Sequence, residues 1–374
     1  MIKLLFRYTS LFLLFAFSTF SSTAEKSVVT IVSFNLENLF DTKDDPDNPH
    51  DDTYLPLTEK NNRTNHEQNC EENTHTDWYK KQCIEMDWSQ AVYEQKLENL
   101  ATVINAMPSV PDVIVVPETE NIDVLNDLVN VESIRNLGYN TVQLDTSDKP
   151  LSRGIDVGLL TRLPLHTDPP VAHTIDFGRD QDKCRATRDT LQVTLTLPDG
   201  EPLHIYGVHF PSGGNPVTCR IRAMMQLNEL VSELPKDTLY LAAGDFNFNC
   251  NETPAEFFRR MLTLGKWYIS PVAQQGCTAP GSSKFTDRRI NFWHTWSFLD
   301  LILVSSTLSP TQSSTKNWFA DLGSFQTLAI HPNQIAVDEK NRGFIQPRRF
   351  NPVTGEGVSD HWPVGIRLLP RRSQ

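Results

Sequence analysis

Ser359-Asp360-His361-Trp362-Pro363-Val364, close to the C-terminus, is the stretch on which the reading of this chain turns. Gly244-Asp245-Phe246-Asn247 and Phe298-Leu299-Asp300 repeat its pattern upstream, with polar side chains set beside apolar runs that read as buried strands. Such a pattern collects carboxylates, amides and imidazoles along one sheet edge. Hard oxygen donors and an imidazole gathered there suit divalent-metal and phosphate chemistry.

Further apolar runs predict strands near Val28 to Phe34, Val113 to Val116, Ile155 to Leu160, Leu191 to Leu197, Leu203 to Val208, Leu239 to Ala243 and Leu299 to Val304. Leu191, Val193, Leu195 and Leu197 alternate with polar residues, the period of a half-buried strand. Tyr93, Leu97, Leu100 and Ile104 recur instead at helical spacing, and a second helix is expected over Ile221 to Leu234. Strands and helices interleave without strict β-α-β regularity, so the expected fold is α/β, a sandwich of mixed sheets with helices outside.

Residues 42 to 90 break this rhythm with a polar excursion dense in Asp, Asn and His. Asp44, Asp45, Asp47, Asp51 and Asp52 offer oxygens that calcium would accept, but the EF-hand spacing is absent. A solvated acidic surface loop, bordering the substrate cleft, is the expectation.

Residues 1 to 24 carry Lys3 and Arg7, an apolar run from Leu11 to Phe17, and the small residues Ser22, Thr23 and Ala24. That order is expected of a signal peptide cleaved near Ala24; its apolar run falls far short of the roughly 20 residues that span a bilayer. Residues 25–374 are then expected to form one domain, secreted or periplasmic, monomeric and without stable membrane insertion. Six cysteines follow: Cys70, Cys83, Cys184, Cys219, Cys250 and Cys277. An even count in an exported chain favours disulfides, and the absence of a CxxC pair disfavours thiolate-bound zinc.

The formal charge of −12 becomes about −14 once Lys3 and Arg7 leave. So acidic a chain is unsuited to nonspecific coating of nucleic acid, whose affinity comes from neutralising phosphates. A nuclease is still compatible, because bound metal and a few local arginines can engage phosphate on an otherwise negative surface.

Seven segments in order are similar to the motifs of the endonuclease/exonuclease/phosphatase superfamily, the deoxyribonuclease I-like proteins. They are SFNLENLFD from Ser33, VVPETEN from Val115, SRGIDVGLL from Ser152, GVHFPSGG from Gly207, GDFNFN from Gly244, WSFLDLILVS from Trp296 and SDHWPV from Ser359. The resemblance implies a four-layer sandwich, two mixed β-sheets flanked by helices, with the site at one end. It implies Glu118 as main metal ligand, assisted by Asn35, with Asp360 a neighbour at the metal; magnesium is usual, and manganese or calcium are alternatives. Asp245 and Asn247 match the residues that orient the attacking water and bind the scissile phosphate, and residues two apart on an extended segment do project to one side.

His361 resembles the catalytic histidine, oriented by Asp300, and His209 the second one, for which Asp156 is the candidate acidic partner or a plain strand-end acid. Arg153 is the candidate phosphate contact, since a guanidinium can chelate phosphate oxygens. Arg185, Arg188, Arg348 and Arg349 could add to it, but each is expected to be a solvated surface arginine. Trp293, Trp296 and Trp362 could stack on a base, and core or rim packing is expected for at least two of them.

The resemblance thus implies an exported metal-dependent phosphodiesterase, a nuclease acting on DNA or RNA. A phospholipid or inositol phosphate hydrolase, sphingomyelinase-like, is the alternative, because shared machinery does not select the leaving group. A noncatalytic binding protein that retained the sandwich is the alternative from another class.

Overall fold

The computed structural model describes residues 28–371 except 46–47, 49, 75, 145–152, 186, 279, 288–291, 312–315 and 340–342. The expected signal peptide, Asp47, Ser152 and the side chain of Trp293 lie outside the described residues. The chain begins with β1 (Val29–Ser33), α1 (Leu57–Asn62), α2 (His66–Asn73), α3 (Asp77–Glu85), α4 (Gln90–Asn105), β2 (Val113–Thr119), α5 (Ile122–Asn130), β3 (Asn140–Val142) and β4 (Asp156–Thr161). It continues through β5 (Val171–His173), β6 (Thr190–Thr196), β7 (Pro202–His209), α6 (Val217–Ser232), β8 (Leu239–Asp245), α7 (Glu256–Leu264) and β9 (Trp267–Tyr268). The last strands are β10 (Ser283–Asp287), β11 (Phe292–Ser297), β12 (Asp300–Ser305), β13 (Trp318–Thr327), β14 (Ile335–Asp338), β15 (Phe344–Pro347) and β16 (Val364–Pro370).

Two six-stranded sheets form, ordered β13-β16-β1-β2-β4-β3 and β5-β6-β7-β8-β12-β9. Both are mixed: β1–β2 and β7–β8 are parallel, and their other neighbours are antiparallel. Strand parity then builds the layers, because successive side chains point to opposite faces. Ile31, Val113, Val115 and Leu159 enter the core shared with the second sheet, while Val32, Ile114, Val116 and Leu160 pack outward with Leu97, Leu100, Ile104 and Leu125 of α4 and α5. On the far side, Ala223, Met224, Leu227, Phe258 and Met261 of α6 and α7 cover the second sheet. The result is the four-layer α/β sandwich. Truncating the fully buried Leu100 to Ala is expected to cost about 2–5 kcal/mol.

The helix expected from Ile221 starts earlier, at Val217, where the carbonyl of Pro216 at its N-cap accepts the Cys219 N–H at 3.0 Å. The larger departure is the polar excursion. It is no solvated loop: it folds into a short 3-10 turn at Asp51–Tyr54 followed by α1, α2 and α3. Its fold is held by polar and covalent links that apolar periodicity does not reveal. Cys70–Cys83 ties α2 to α3. Buried Lys60 donates from Nζ to the carbonyls of Thr53 and Met86, each at 2.7 Å. Arg63 pairs with Asp44, Asp52 and Glu59 at 2.8, 2.8 and 2.7 Å. Asp51 and Asp52 are buried rather than solvated, and Tyr54 stacks flat on Phe40 with centroids 4.1 Å apart. The remaining cysteines pair as Cys184–Cys219 and Cys250–Cys277.

Candidate active site

The C-terminal ends of β1, β2, β7 and β8 and the N-terminal ends of β4, β12 and β16 meet at one end of the sandwich. Register sets the neighbours there. In the second sheet Asp245 stands beside His209 on one side and Asp300 on the other. Gly244 makes this approach possible: its φ is 138°, and a Cβ would lie 2.0 Å from the Val208 carbonyl oxygen. The first sheet brings Asn35 from just past β1, Glu118 from β2, Asp156 from β4 and His361 from just before β16. Among the described non-glycine residues seven have positive φ, and five of them, Glu37, Asn38, Glu118, Arg153 and Asn247, lie at this end. Such conformations cost about 1–3 kcal/mol each and persist where the surrounding structure enforces them.

The polar contacts are specific. His361 Nδ1 lies 2.6 Å from Asp300 Oδ2, both groups buried. Asp300 Oδ1 has no hydrogen-bond partner among the described residues, and the Asp300 backbone is held by its N–H to Ser282 Oγ at 3.0 Å. The Asn35 amide donates to Asp245 Oδ2 at 3.3 Å and accepts from the Glu37 N–H at 2.9 Å. Asn247 donates its backbone N–H to Asp245 Oδ1 at 2.8 Å and its Nδ2 to the Phe210 carbonyl at 3.0 Å. Glu118 Oε2 accepts from the Asn38 N–H at 3.0 Å.

His209 Nε2 sits 3.7 Å from Glu118 Oε1 and 3.6 Å from Asp245 Oδ2. Its Nδ1 has no hydrogen-bond partner among the described residues. The expected bond from Asp156 to this nitrogen is therefore not made, and Asp156 lies buried at the start of β4.

These surroundings push the two imidazoles apart. Burial alone would depress His361, but the charge and bond of Asp300, with Asp360 and Asp245, outweigh it and hold the ring well above its ordinary range. Burial, reinforced by Arg188, holds His209 well below it. Asp245 is raised to about 7 by burial, with Asp300 and Glu118 adding to the rise against His361. For Glu118, burial is outweighed by Arg153, His209 and Arg188, which lower it to about 2. One site thus holds an imidazolium, a neutral imidazole, a firm carboxylate and a carboxyl poised near neutrality.

These groups face a cavity of about 350 Å³ with Glu118, His209, Asp245, Asn247 and His361 on its floor and Arg153, Arg185 and Arg188 on its wall. Arg188 corrects the expectation of a surface arginine. It is buried, and its Nε and Nη2 have no hydrogen-bond partner among the described residues. Burial, then the charge of Arg153, lowers it to about 10, and it remains a cation. Arg153 hydrogen-bonds Asn38. Arg185 is exposed, and Arg348 pairs with Glu356 on the surface. The excursion supplies the opposite wall through Tyr54, Thr76, Tyr79 and Gln82.

A smaller cavity of about 130 Å³ adjoins it and receives Glu37, Glu118 and Asp360. Arg349 lies at the surface as expected, its side chain 49% exposed, and bonds both Glu37, at 2.7 Å, and Asp360. Burial and then Asp360 raise Glu37 to about 8 despite Lys96 and Arg349. Glu37, Glu118 and Asp360 bring three hard oxygen donors to this small cavity, beside the cations Lys96, Arg153 and Arg349, and donors of that kind suit a divalent cation such as magnesium. Glu37 had no place in the sequence reading, although it lies two residues past Asn35 in the same motif. Trp362 is buried with Nε1 on the Gln334 carbonyl at 2.9 Å, and Trp296 stacks on Phe344, so neither offers an open ring face in the cleft.

A sequence profile described as the Endonuclease/Exonuclease/phosphatase family matches residues 71–369. The chain belongs to the endonuclease/exonuclease/phosphatase family. Members are phosphoester hydrolases that generally use divalent metals. Solved structures agree in fold. D. rerio TDP2 complexed with a single-strand DNA product is 13% identical at a TM-score of 0.51, over 92% of this chain and 99% of that one. A Bacteroides thetaiotaomicron mannosyl-6-phosphatase is 16% identical at 0.51, over 91% and 99%. A further family protein from Bacteroides thetaiotaomicron is 13% identical at 0.51, over 93% and 100%. No curated protein matches the chain significantly. The three disulfides point to an oxidising compartment, and no helix among the described residues is long and apolar enough to cross a membrane.

Proposed function

We propose that this protein is an exported, divalent-metal-dependent phosphodiesterase that hydrolyses nucleic acid, with residues 25–374 acting as one catalytic domain. The observation that carries the reading is the buried His361–Asp300 pair beside His209, facing a cavity into which the unpaired, buried Arg188 brings positive charge. Phosphodiester hydrolysis needs a deprotonated water, neutralisation of the charge on the nonbridging oxygens and a proton for the leaving oxygen.

Asp245, poised near 7 and fixed by Asn35 and Asn247, takes the proton of the attacking water. His361, kept protonated by Asp300, holds a nonbridging oxygen as charge builds. Arg153 and Arg188 neutralise the remaining phosphate charge. His209, neutral at rest and 3.6 Å from Asp245, orients the phosphate and passes to the leaving oxygen the proton that Asp245 takes from water. Glu118, Asp360 and Glu37 would hold magnesium, with Asn35 bracing the group; the ion when bound supplies Lewis-acid polarisation of the phosphate. The TDP2 structure with single-strand DNA product supports a nucleic-acid substrate for this fold, and the mannosyl-6-phosphatase marks the competing monoester chemistry.

The test is hydrolysis by the purified mature protein, with magnesium or EDTA, of plasmid DNA, RNA, sphingomyelin, inositol phosphates and mannose 6-phosphate. EDTA-sensitive cleavage of DNA or RNA is expected. Turnover confined to lipid, inositol or sugar phosphates would overturn the nuclease reading, and binding without turnover of any of them would favour a noncatalytic role.

A further inference from the structure

Trp78 and Tyr79, in the first turn of α3, are 49% and 47% exposed. They touch edge to face, with centroids 4.8 Å apart. Neither ring stands at random. Trp78 lies over the Arg349 guanidinium at 5.8 Å, and that guanidinium is fixed by Glu37 and Asp360. Tyr79 lines both the large cavity and the smaller one, and Trp78 lines the smaller one with Glu118 and Arg153. The Cys70–Cys83 disulfide anchors α3, so the pair is carried on a braced wall.

We propose that Trp78 and Tyr79 form a stacking platform for the nucleobase next to the scissile phosphate, so that the enzyme prefers single strands and unpaired ends. This rests on the phosphodiesterase reading above and names the substrate form it implies. Aromatic faces at a cationic cleft are the arrangement by which proteins hold single-stranded nucleic acid without reading its sequence. A base inside a duplex has both faces covered by its neighbours and cannot stack on a side chain until it is drawn out. Phosphate would rest on Arg153 and Arg188 while the attached base reaches the rim. An acyl chain is a poorer occupant, because Asp77, Lys80 and Glu71 place charge near the rings.

Steady-state kinetics with magnesium on four substrates test the proposal: a DNA single strand, its duplex, a single strand of equal length with abasic sites, and methyl p-nitrophenyl phosphate. Wild type is expected to cleave the base-bearing single strand with at least tenfold higher kcat/KM than the duplex or the abasic strand. Trp78→Ala is expected to raise KM for the base-bearing strand about tenfold with kcat nearly constant, and Trp78→Phe to restore most of the loss; Tyr79→Ala should act in the same direction. Circular dichroism checks the fold of each variant. Equal fractional losses on base-bearing and abasic strands would overturn the platform and assign Trp78 to positioning Arg349. Unchanged KM in folded Trp78→Ala would overturn it as well. A wild type that cleaves the small diester but treats abasic and base-bearing strands alike defeats the platform alone. Failure to cleave any of the four defeats the phosphodiesterase reading and the platform with it.

Discussion

His361 and Asp300, 61 positions apart in the chain, meet at 2.6 Å in a buried pair whose carboxylate keeps one oxygen free of any partner among the described residues. The bond fixes which imidazole nitrogen faces the substrate and stabilises the ring as a cation. His361→Ala is therefore expected to lower kcat by about 10²–10⁴ with a smaller effect on KM. Asp300→Asn should lose less, since an amide can still hold the ring. The double variant should fall well short of the product of the two losses, because both residues serve one imidazole. Additive losses in kinetics of the three variants would separate their roles.

Glu118 is held near 2, and so remains a carboxylate wherever the protein is folded. Glu118→Gln keeps the shape and removes the charge. Activity titrated against magnesium should shift to higher concentration by at least tenfold, while circular dichroism stays as in wild type. An unchanged magnesium response would remove Glu118 from the ligand set.

Arg188 places function and stability in opposition. A buried guanidinium with two nitrogens unbonded carries a desolvation cost that the fold alone does not require. Arg188→Met should preserve or raise the melting temperature while lowering kcat/KM by roughly 10²-fold, the usual scale for losing one donor to a developing anion. Thermal unfolding and kinetics on the same preparation check both halves. Destabilisation with unchanged kinetics would make Arg188 a structural residue.

Asp51 gives a pH dependence with a definite sign. Burial, then the charges of Asp44, Asp52 and Asp45, raise its folded-state pKa from 3.8 to about 8, although the Asp45 N–H bond opposes the rise. The protonated form is favoured in the folded state, so the contribution is complete below the unfolded pKa near 4 and is lost as pH rises through 8. Asp51→Asn should remove that loss. Melting temperatures at pH 5 and pH 8.5 should show the variant gaining on wild type at the higher pH; a constant difference would place Asp51 in a different electrostatic setting.

The Cys70–Cys83 link closes a 13-residue separation in a segment with few buried apolar side chains. Replacing both cysteines by Ser should cost about 2–3 kcal/mol in the chain-entropy view. Because Tyr79 sits on α3 in the cleft wall, KM should rise as well. Denaturant unfolding and kinetics of the double variant test the two effects separately.

The sandwich is legible in the amino-acid sequence, because its strands are local objects. Val113 to Val116 and Leu239 to Ala243 read as buried strands from their own side chains, whatever lies beside them. The same sequence also pointed to Asp245, Asn247, Asp300 and His361, which follow or open such strands, and to three disulfides from an even cysteine count, though not to their pairing. Which of these groups touch depends on how the two sheets pack. Asp300 finds His361 through the packing of one sheet against the other, which joins residues far apart in sequence and leaves no local trace. Arg188 looks like any other arginine until the cavity wall closes around it. The helical excursion stayed hidden because Lys60, Arg63 and the Cys70–Cys83 bond hold it, and carbonyl contacts, ion pairs and cross-links have no sequence period.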